Sequence, residues 1–507
     1  MKFLNNLRLT QPLRFVLLIA LAARMLSVVF SPGYLMIDDH FLVIEAAGSW
    51  IDGEDYNNWL PWNKNEGDIP SVVNFAYVGS QYVVLSILKS LGFDDPKNMM
   101  FVVRLLHALY SLLIVYFGYR IAEYLSDKKT AFTVGMLLAL FAFMPNFSVR
   151  NLVEMVCVPP LMWSTYTLLK GERNFKSALI AGIGIGIATG IRYQCGIYGV
   201  GIGLVLLFQK DWLRAVGTGL SAIFAFFLMQ LPDVFLWGEP FVQLRTYIDY
   251  NSTHAGDYPE GPWYQYGLTI FGFLLPPLSL ALIFGSILAV RKYALLIVPS
   301  FLFLIFHSIY PNKQERFIIP VLIFMIVAGT ICWEMWQQKS TWWQKREKLS
   351  RRLWRAFWVL NMMGFAVVSL SYVKKSRVEA MYYLYNQPEY NNFLAVYVDS
   401  AAQPPQFYSG KWEHYYWFVP GETKLEIQHD DICERLSYQD FPNYVLFYGA
   451  NVTSIVDKFK TEYSSLSFQT TIQPGYFDRL LNYLNPKNTL ETVHIYSIDQ
   501  QIECPQQ

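Results

Sequence analysis

A chain of 507 residues has room for one large unit or for two to three ordinary domains. Hydrophobic residues make up 53% and charged residues only 16%, against roughly 25% charged in soluble globular proteins, and aromatics reach 17% with 15 Trp and 34 Tyr. This excludes a disordered, fibrous or ordinary cytosolic protein and points to an all-α, multi-pass membrane protein. The net charge of +1 conceals an asymmetry: residues 374–507 hold 10 Lys/Arg and 16 Asp/Glu, about −6, which leaves about +7 for residues 1–373. A basic membrane domain over 1–373 and a small, mildly acidic domain over 374–507 are predicted, in different compartments. No basic tract or nucleic-acid motif is present, so no nucleic acid partner is expected.

Lys2, Arg8 and Arg14 precede or open an apolar stretch, 15–30, which Arg24 interrupts and no small-residue cleavage site follows. That pattern predicts an uncleaved anchor that serves as the first span. A helix needs roughly 20 apolar residues to cross a bilayer. Further spans are predicted near 98–124, 130–145, 152–169, 177–191, 193–209, 213–236, 264–289, 293–309, 317–336 and 355–372, about eleven in all. Within loop 31–97, the stretches 41–50 and 72–91 read as amphipathic helices lying on the interface. In the tail, 445–448 and 493–496 read as strands and 455–463 as a helix, which makes a soluble α/β domain. No internal repeat of the inverted-repeat transporter kind is visible.

Lys and Arg near span ends stay cytoplasmic. With the N-terminus inside, the cytoplasmic segments hold nineteen of them and the opposite side eight. An odd number of spans then puts loop 31–97, loop 237–263, the turns 145–151, 190–194 and 308–316, and the tail outside. Sequons at Asn146, Asn251 and Asn451 all fall on that side. A bacterial inner membrane and an endoplasmic reticulum membrane share this sidedness; the compact chain without a long N-terminal extension tilts the expectation slightly towards the bacterial one. Cys157, Cys195 and Cys332 sit in apolar runs as packing residues. Cys433 and Cys504 would pair only if the tail is in an oxidising compartment. No Cys or His shows metal-ligand spacing, and no metal is expected.

Two external loops carry the chemistry. Asp38 and Asp39, followed by His40, lie a few residues beyond the first span. Adjacent carboxylates repel one another, which raises the pKa of one and suits a general base; a solvated turn or helix cap is the structural alternative. His40 reads as a polar interface residue. The second loop runs His307, Tyr310, Lys313, Glu315, Arg316, Phe317. Fixed cations at a membrane surface suit a lipid-linked phosphate, Arg bidentately and Lys as a point charge; a snorkelling loop is the alternative. Arg150 and Arg192, external cations at span ends, either join that patch or anchor their helices. Arg104, His107, Glu123 and Glu154 lie within spans and need partners, with Arg104 and Glu154 expected to pair.

Asp38 and Asp39, together with Tyr310-Pro-Asn-Lys313-Gln-Glu315-Arg316-Phe317-Ile-Ile-Pro320, resemble glycosyltransferase family 22. Asp233 to Gly238, then Asn251, then Gly261, Pro262, Trp263, Tyr264 and Tyr266 look like a second motif of that family, and Arg150, Asn151 and Glu154 look more loosely like a third. The order is kept over about residues 12–372. Two positions depart from the pattern: Met36 and Ile37 stand for a His-Pro, and Pro311 or Asn312 for a His. The tail has no counterpart.

The resemblance implies a GT-C bundle with a catalytic Asp on the first non-cytoplasmic loop. It also implies mannosyl transfer, with inversion, from a dolichyl- or other polyprenyl-phosphate sugar to a glycan or glycolipid. The residue chemistry agrees: an acceptor hydroxyl must give its proton to a carboxylate as the bond forms, and the departing phosphate needs charge stabilisation rather than a strong acid. Asp38 is expected to be the base, with Asp39 assisting it or holding sugar hydroxyls. Lys313 and Arg316 would hold the donor phosphate, with Arg150 and Arg192 as helpers. Glu315 would orient Arg316, and His307 and His40 would support. Trp263, Tyr264 and Tyr266 would line the acceptor or lipid groove or act as interfacial anchors. No cofactor is expected, since the lipid-linked sugar is a substrate. The alternatives are another GT-C transferase, acting with arabinose, aminoarabinose or a protein acceptor, and a transporter or flippase of lipid-linked sugars.

Overall fold

The computed structural model describes residues 2–63, 70–254, 256–258, 260–397, 403–412, 416–418, 442–462, 464–486, 488 and 490–498. Lys64, Cys433 and Cys504 lie outside the described residues. The chain forms two compact units: Met1–Phe30, Asn57–Val84 and Val102–Leu370 make the first, and Ser31–Tyr56, Leu85–Phe101 and Ser371–Gln507 the second.

The first unit is helical. The eleven apolar segments fall on helices, but some cover two helices with a break between them, as at 141–143 and 274–277. Among the described residues, four helices are long and apolar enough to cross a bilayer unaided: Pro12–Phe30, Pro96–Leu125, Trp212–Trp237 and Glu315–Lys339. A fifth would be Gln265–Phe273 with Leu278–Lys292, bent by 118° at the break. Several others are broken or short. Pro145 opens the short helix Met144–Ser148, and Pro159 and Pro160 open Val158–Lys170. Proline lacks the amide that would continue the preceding helix but suits the first turn of a new one.

The helix Ile319–Lys339 is the axis of this unit, with 89% of its apolar window buried. It meets Leu278–Lys292 backbone to backbone: a Cβ added at Gly285 would lie 2.1 Å from the Gly329 carbonyl oxygen. Small residues permit such an approach where apolar solvent gives helices no other reason to associate. Arg24 is fully buried, and its Nε donates to Ser111 Oγ at 2.7 Å. The Asn361 amide bridges a chain break, accepting from the Ala142 N–H at 2.9 Å and donating to the Leu140 carbonyl at 2.7 Å. Asn146, the first sequon, is buried and donates to the Val368 carbonyl at 2.8 Å, so its amide is not presented for glycosylation.

The second unit centres on a five-stranded mixed sheet: β1 (Asn392–Tyr397), β2 (Tyr416–Phe418), β3 (Pro442–Tyr448), β4 (Leu466–Ile472) and β5 (Val493–Ile498), in the order β2-β1-β3-β5-β4. β1 pairs in parallel with β2 and β3, whereas β5 runs antiparallel to β3 and β4. Helix Thr453–Glu462 lays Val456 and Phe459 on Leu394, Val396, Val445 and Phe447. The strands and helix expected in the tail are present. Segments from the first loop complete this unit. Gly33, at φ +80°, bridges to Val373 so closely that a Cβ would fall 1.9 Å from its carbonyl oxygen. Lys97 pairs with Glu379 at 2.8 Å. The stretch expected to lie on the interface, 41–50, is instead largely buried: Phe41, Val43, Ile44, Ala46, Ala47 and Ser49 all face inwards. Its polar residues are paired rather than solvated.

Candidate active site

In the second unit the acidic pair opens a helical turn, Ile37–Asp39, that widens into a π-helical segment, His40–Glu45, and then into the helix Ala46–Ile51. Asp38 is exposed and Asp39 is buried. The π-helical i→i+5 spacing places residues five apart on one face, and such bulges recur at functional sites. It brings Nε2 of His40 to 2.9 Å from Oε1 of Glu45, both side chains at 0% exposure. His40 is therefore a buried partner and not the interface residue expected. Its ring stacks between Tyr34 at 4.5 Å and Tyr408 at 5.5 Å. Glu45 Oε2 accepts the Phe407 N–H at 2.9 Å. Burial pushes the Glu45 carboxyl above the usual carboxylate range, against the opposing pull of His40 and the Phe407 amide. Tyr34, whose hydroxyl burial raises to about 12, lies 3.5 Å from Arg377, which holds Glu491 by two bonds of 2.5 Å.

In the first unit three breaks between helices converge. Glu154 stands in the first turn of Val153–Val156, Arg192 at the extended residue after Phe175–Ile191, and Arg316 in the 3-10 turn Glu315–Ile318. Arg192 is 5% and Arg316 7% exposed. Both face the same carboxylate oxygen, Glu154 Oε1, at 3.6 and 3.9 Å. Arg192 Nη1 also donates to the Phe317 carbonyl at 3.0 Å, and its guanidinium lies over Phe303 and Phe317. Arg192 Nη2 and Glu154 Oε2 find no hydrogen-bond partner among the described residues. One carboxylate oxygen thus faces two buried guanidinium groups.

This arrangement corrects two expectations. Glu154 pairs with Arg192 and Arg316, and Arg104 instead donates to the Val28 carbonyl at 3.2 Å. Arg316 is held by Gln314 Oε1 at 2.8 Å, whereas Glu315 is exposed and is not what orients it. His107 meets the Tyr77 hydroxyl at 2.9 Å, and Glu123 meets Arg120 at 2.6 Å.

Lys313 is buried, and burial lowers its ammonium below the usual lysine value. It donates to the carbonyls of Tyr310 and, at 3.1 Å, His307, so it caps the end of helix Ala294–Ile309. His307 stacks on Phe303 at 4.1 Å with Nδ1 2.9 Å from that residue's carbonyl. Arg150 is buried in the turn before Val153–Val156. Trp263, at 74% exposure, and Tyr264 face outwards; Tyr266 is buried and donates to the Gln314 carbonyl at 3.1 Å. The cationic cluster thus draws together Arg192, Arg316 and Glu154, of which sequence reasoning undervalued Glu154. It missed Glu45, which sits in an apolar run. Among the described residues no group of three or more His, Cys, Asp or Glu side chains is placed to hold a metal ion.

Compared with solved structures, the chain matches ArnT from Cupriavidus metallidurans, crystallised with undecaprenyl phosphate, at a TM-score of 0.59 and 11% identity, over 97% of this chain and 98% of that one. It matches the oligosaccharyltransferase AglB from Archaeoglobus fulgidus, solved with an inhibitory peptide and a dolichol-phosphate, at 0.53 and 12%, over 98% of this chain and 75% of that one. No curated protein matches the sequence. The helical body and small sheet therefore have the GT-C fold of membrane glycosyltransferases. Residues 15–405 match the Alg9-like mannosyltransferase family, and the chain belongs to that family. It is an integral membrane glycosyltransferase.

Proposed function

We propose that the protein moves a mannosyl residue from a polyprenyl-phosphate sugar to a hydroxyl of a glycan or glycolipid, with inversion at the anomeric carbon. The observation that carries this reading is the convergence of two buried guanidinium groups, Arg192 and Arg316, on one oxygen of Glu154. As the bond from the anomeric carbon to the phosphate oxygen breaks, the carrier passes from a phosphodiester to a monoester and gains negative charge. Preorganised guanidinium groups stabilise charge that develops there, and do so most where water is excluded. Arg150 adds to the field of this cluster, and Lys313, committed to two carbonyls, acts mainly by its charge. Asp38, exposed on its helical turn, takes the proton of the attacking hydroxyl; Asp39 steadies it or holds a sugar hydroxyl. The guanidinium groups, rather than a metal ion, meet the leaving charge in this mechanism. Some eleven helical segments embed the first unit, with the first loop and the tail on the non-cytoplasmic side.

The test is transfer from radiolabelled polyprenyl-phosphate mannose to lipid-linked glycans drawn from a strain lacking the protein. Asp38→Asn, inserted and folded, should lose activity by a factor of roughly a hundred to ten thousand. Full activity in that variant would remove Asp38 as the base, and a cytosolic position for it in topology mapping would overturn the sidedness.

A further inference from the structure

The first unit holds a second group of buried polar side chains that the chemistry above does not use. Asp233 is fully buried, and its Oδ2 accepts the Gln243 N–H at 3.1 Å where helix Val242–Thr253 begins. Gln243, also fully buried, accepts the Phe75 N–H at 2.9 Å through Oε1. Asn74 accepts the Ala76 N–H at 2.7 Å through Oδ1. In each case one atom of the side chain organises the backbone and the other is left over. Asp233 Oδ1, Gln243 Nε2 and Asn74 Nδ2 have no hydrogen-bond partner among the described residues, nor do the Tyr193 hydroxyl, Trp237 Nε1 and both amide atoms of Gln230. These residues are neighbours. Tyr193 lies against Asn74 within the field of Asp233, the rings of Phe75 and Trp237 are 5.2 Å apart, and the Asp233 N–H bonds the Gln230 carbonyl. Interiors leave few buried polar atoms unpaired, so seven in one place call for something that fills them.

The chemistry selects the occupant. A carboxylate oxygen repels a phosphate, and a prenyl tail would satisfy none of these atoms. Two acceptors, three amide N–H donors, a phenol and an indole match a ring of hydroxyl groups, each of which both donates and accepts. Such a ring could belong to the donor or to the acceptor, and the chain places the choice. Arg192 turns to Glu154 and the Phe317 carbonyl, while the next residue, Tyr193, turns to Asn74. Consecutive Cα atoms are about 3.8 Å apart, the reach of a sugar joined directly to a phosphate. We propose that Asn74, Tyr193, Asp233 and Gln243 bind the hydroxyls of the hexose carried on the polyprenyl phosphate. This rests on the transfer reading above and extends it to the transferred sugar.

Asp233→Asn and Gln243→Glu test the idea, because each can keep the backbone hydrogen bond while it exchanges acceptor and donor at the left-over atom and changes the charge of the group by one. Binding of a short-chain prenyl-phosphate mannose and of the same prenyl phosphate without sugar is measured by calorimetry on the full chain in nanodiscs. The wild type should bind the mannosyl carrier at least tenfold more tightly than the bare one. Each variant should lose that advantage while keeping its affinity for the bare carrier and its acceptor KM. Equal binding of the two carriers by the wild type would mean that water alone fills the group, and overturns the proposal. So would an equal loss for both carriers, or a raised acceptor KM with donor binding intact. If the wild type prefers the mannosyl carrier yet transfers nothing, the transfer reading falls and the sugar site stands.

Discussion

Nε2 of His40 and Oε1 of Glu45 are 2.9 Å apart with neither side chain exposed to solvent. Burial raises the Glu45 carboxyl, so the folded protein binds that proton more tightly than the unfolded chain does. The stabilisation is then complete below the ordinary glutamate pKa and is lost as pH rises through the raised, folded value. Glu45→Gln removes the titration. The stability of the wild type relative to this variant should therefore fall as pH rises above the ordinary glutamate pKa and through the raised, folded one, as read by unfolding midpoints in detergent. A margin that grows with pH would instead show an ionised carboxylate held by His40.

Arg377 and Glu491 form a buried ion pair through two bonds of 2.5 Å, each side chain about 5% exposed. Taking both charges out of water offsets most of their attraction, but removing one alone leaves the other stranded. Glu491→Gln should cost about 3–5 kcal/mol in chemical unfolding. The double replacement Arg377→Met with Glu491→Leu should recover most of that loss. A double variant as unstable as the single one would show that the pair contributes more than charge balance.

How far the residues announced this architecture depended on how local the signal was. Continuous apolar runs marked the helical stretches of the first unit, and the short runs 445–448 and 493–496, rich in Val, Ile and aromatic residues, made β3 and β5 visible. Length misled where a proline-bearing break divides a run, as in 264–289, where Pro276 and Pro277 stand between Gln265–Phe273 and Leu278–Lys292, because composition does not register a break. The stretch 41–50 read as amphipathic because Glu45 and Ser49 are polar. Their partners make them interior: Ser49 Oγ donates to the Ala46 carbonyl, and Glu45 accepts from Phe407, 362 residues away in sequence. Arg192 and Arg316 stood out because they run against the charge sidedness. Glu154 gave no such sign, and its convergence with them comes from three separate chain breaks.

Glu154 competes with any anion for Arg192 and Arg316, since both guanidinium groups face its Oε1 at more than hydrogen-bonding distance. Glu154→Gln should lower the thermal midpoint of the empty protein, because it removes the shared carboxylate from a buried site. The same change should make polyprenyl phosphate, the released carrier, a stronger inhibitor by about tenfold, equivalent to about 1.4 kcal/mol. Inhibition assays against the bare carrier read this directly. Weaker inhibition than in the wild type would mean that Glu154 holds the guanidinium groups in place rather than competing for them.

The contact of Leu278–Lys292 with Ile319–Lys339 is set by backbone and not by side chains. A Cβ on Gly329 would fall 2.5 Å from the Leu282 carbonyl oxygen, and one on Gly285 2.1 Å from that of Gly329. Neither obstacle is the flexible end of a side chain, so a methyl group is accommodated only by separating the helices and loosening the packing of a largely buried axis. Gly329→Ala should therefore cost about 1–3 kcal/mol. Gly285→Ala together with it should cost less than the sum, since both relieve one contact. Gly203, in the helix Gly196–Phe208, is the control: nothing lies within 4 Å of an added Cβ. Gly203→Ala should be neutral or gain about 0.5–1 kcal/mol from reduced backbone entropy. Unfolding in mixed micelles by added denaturing detergent separates the cases, and a Gly329→Ala protein as stable as Gly203→Ala would show that the helices do not meet there.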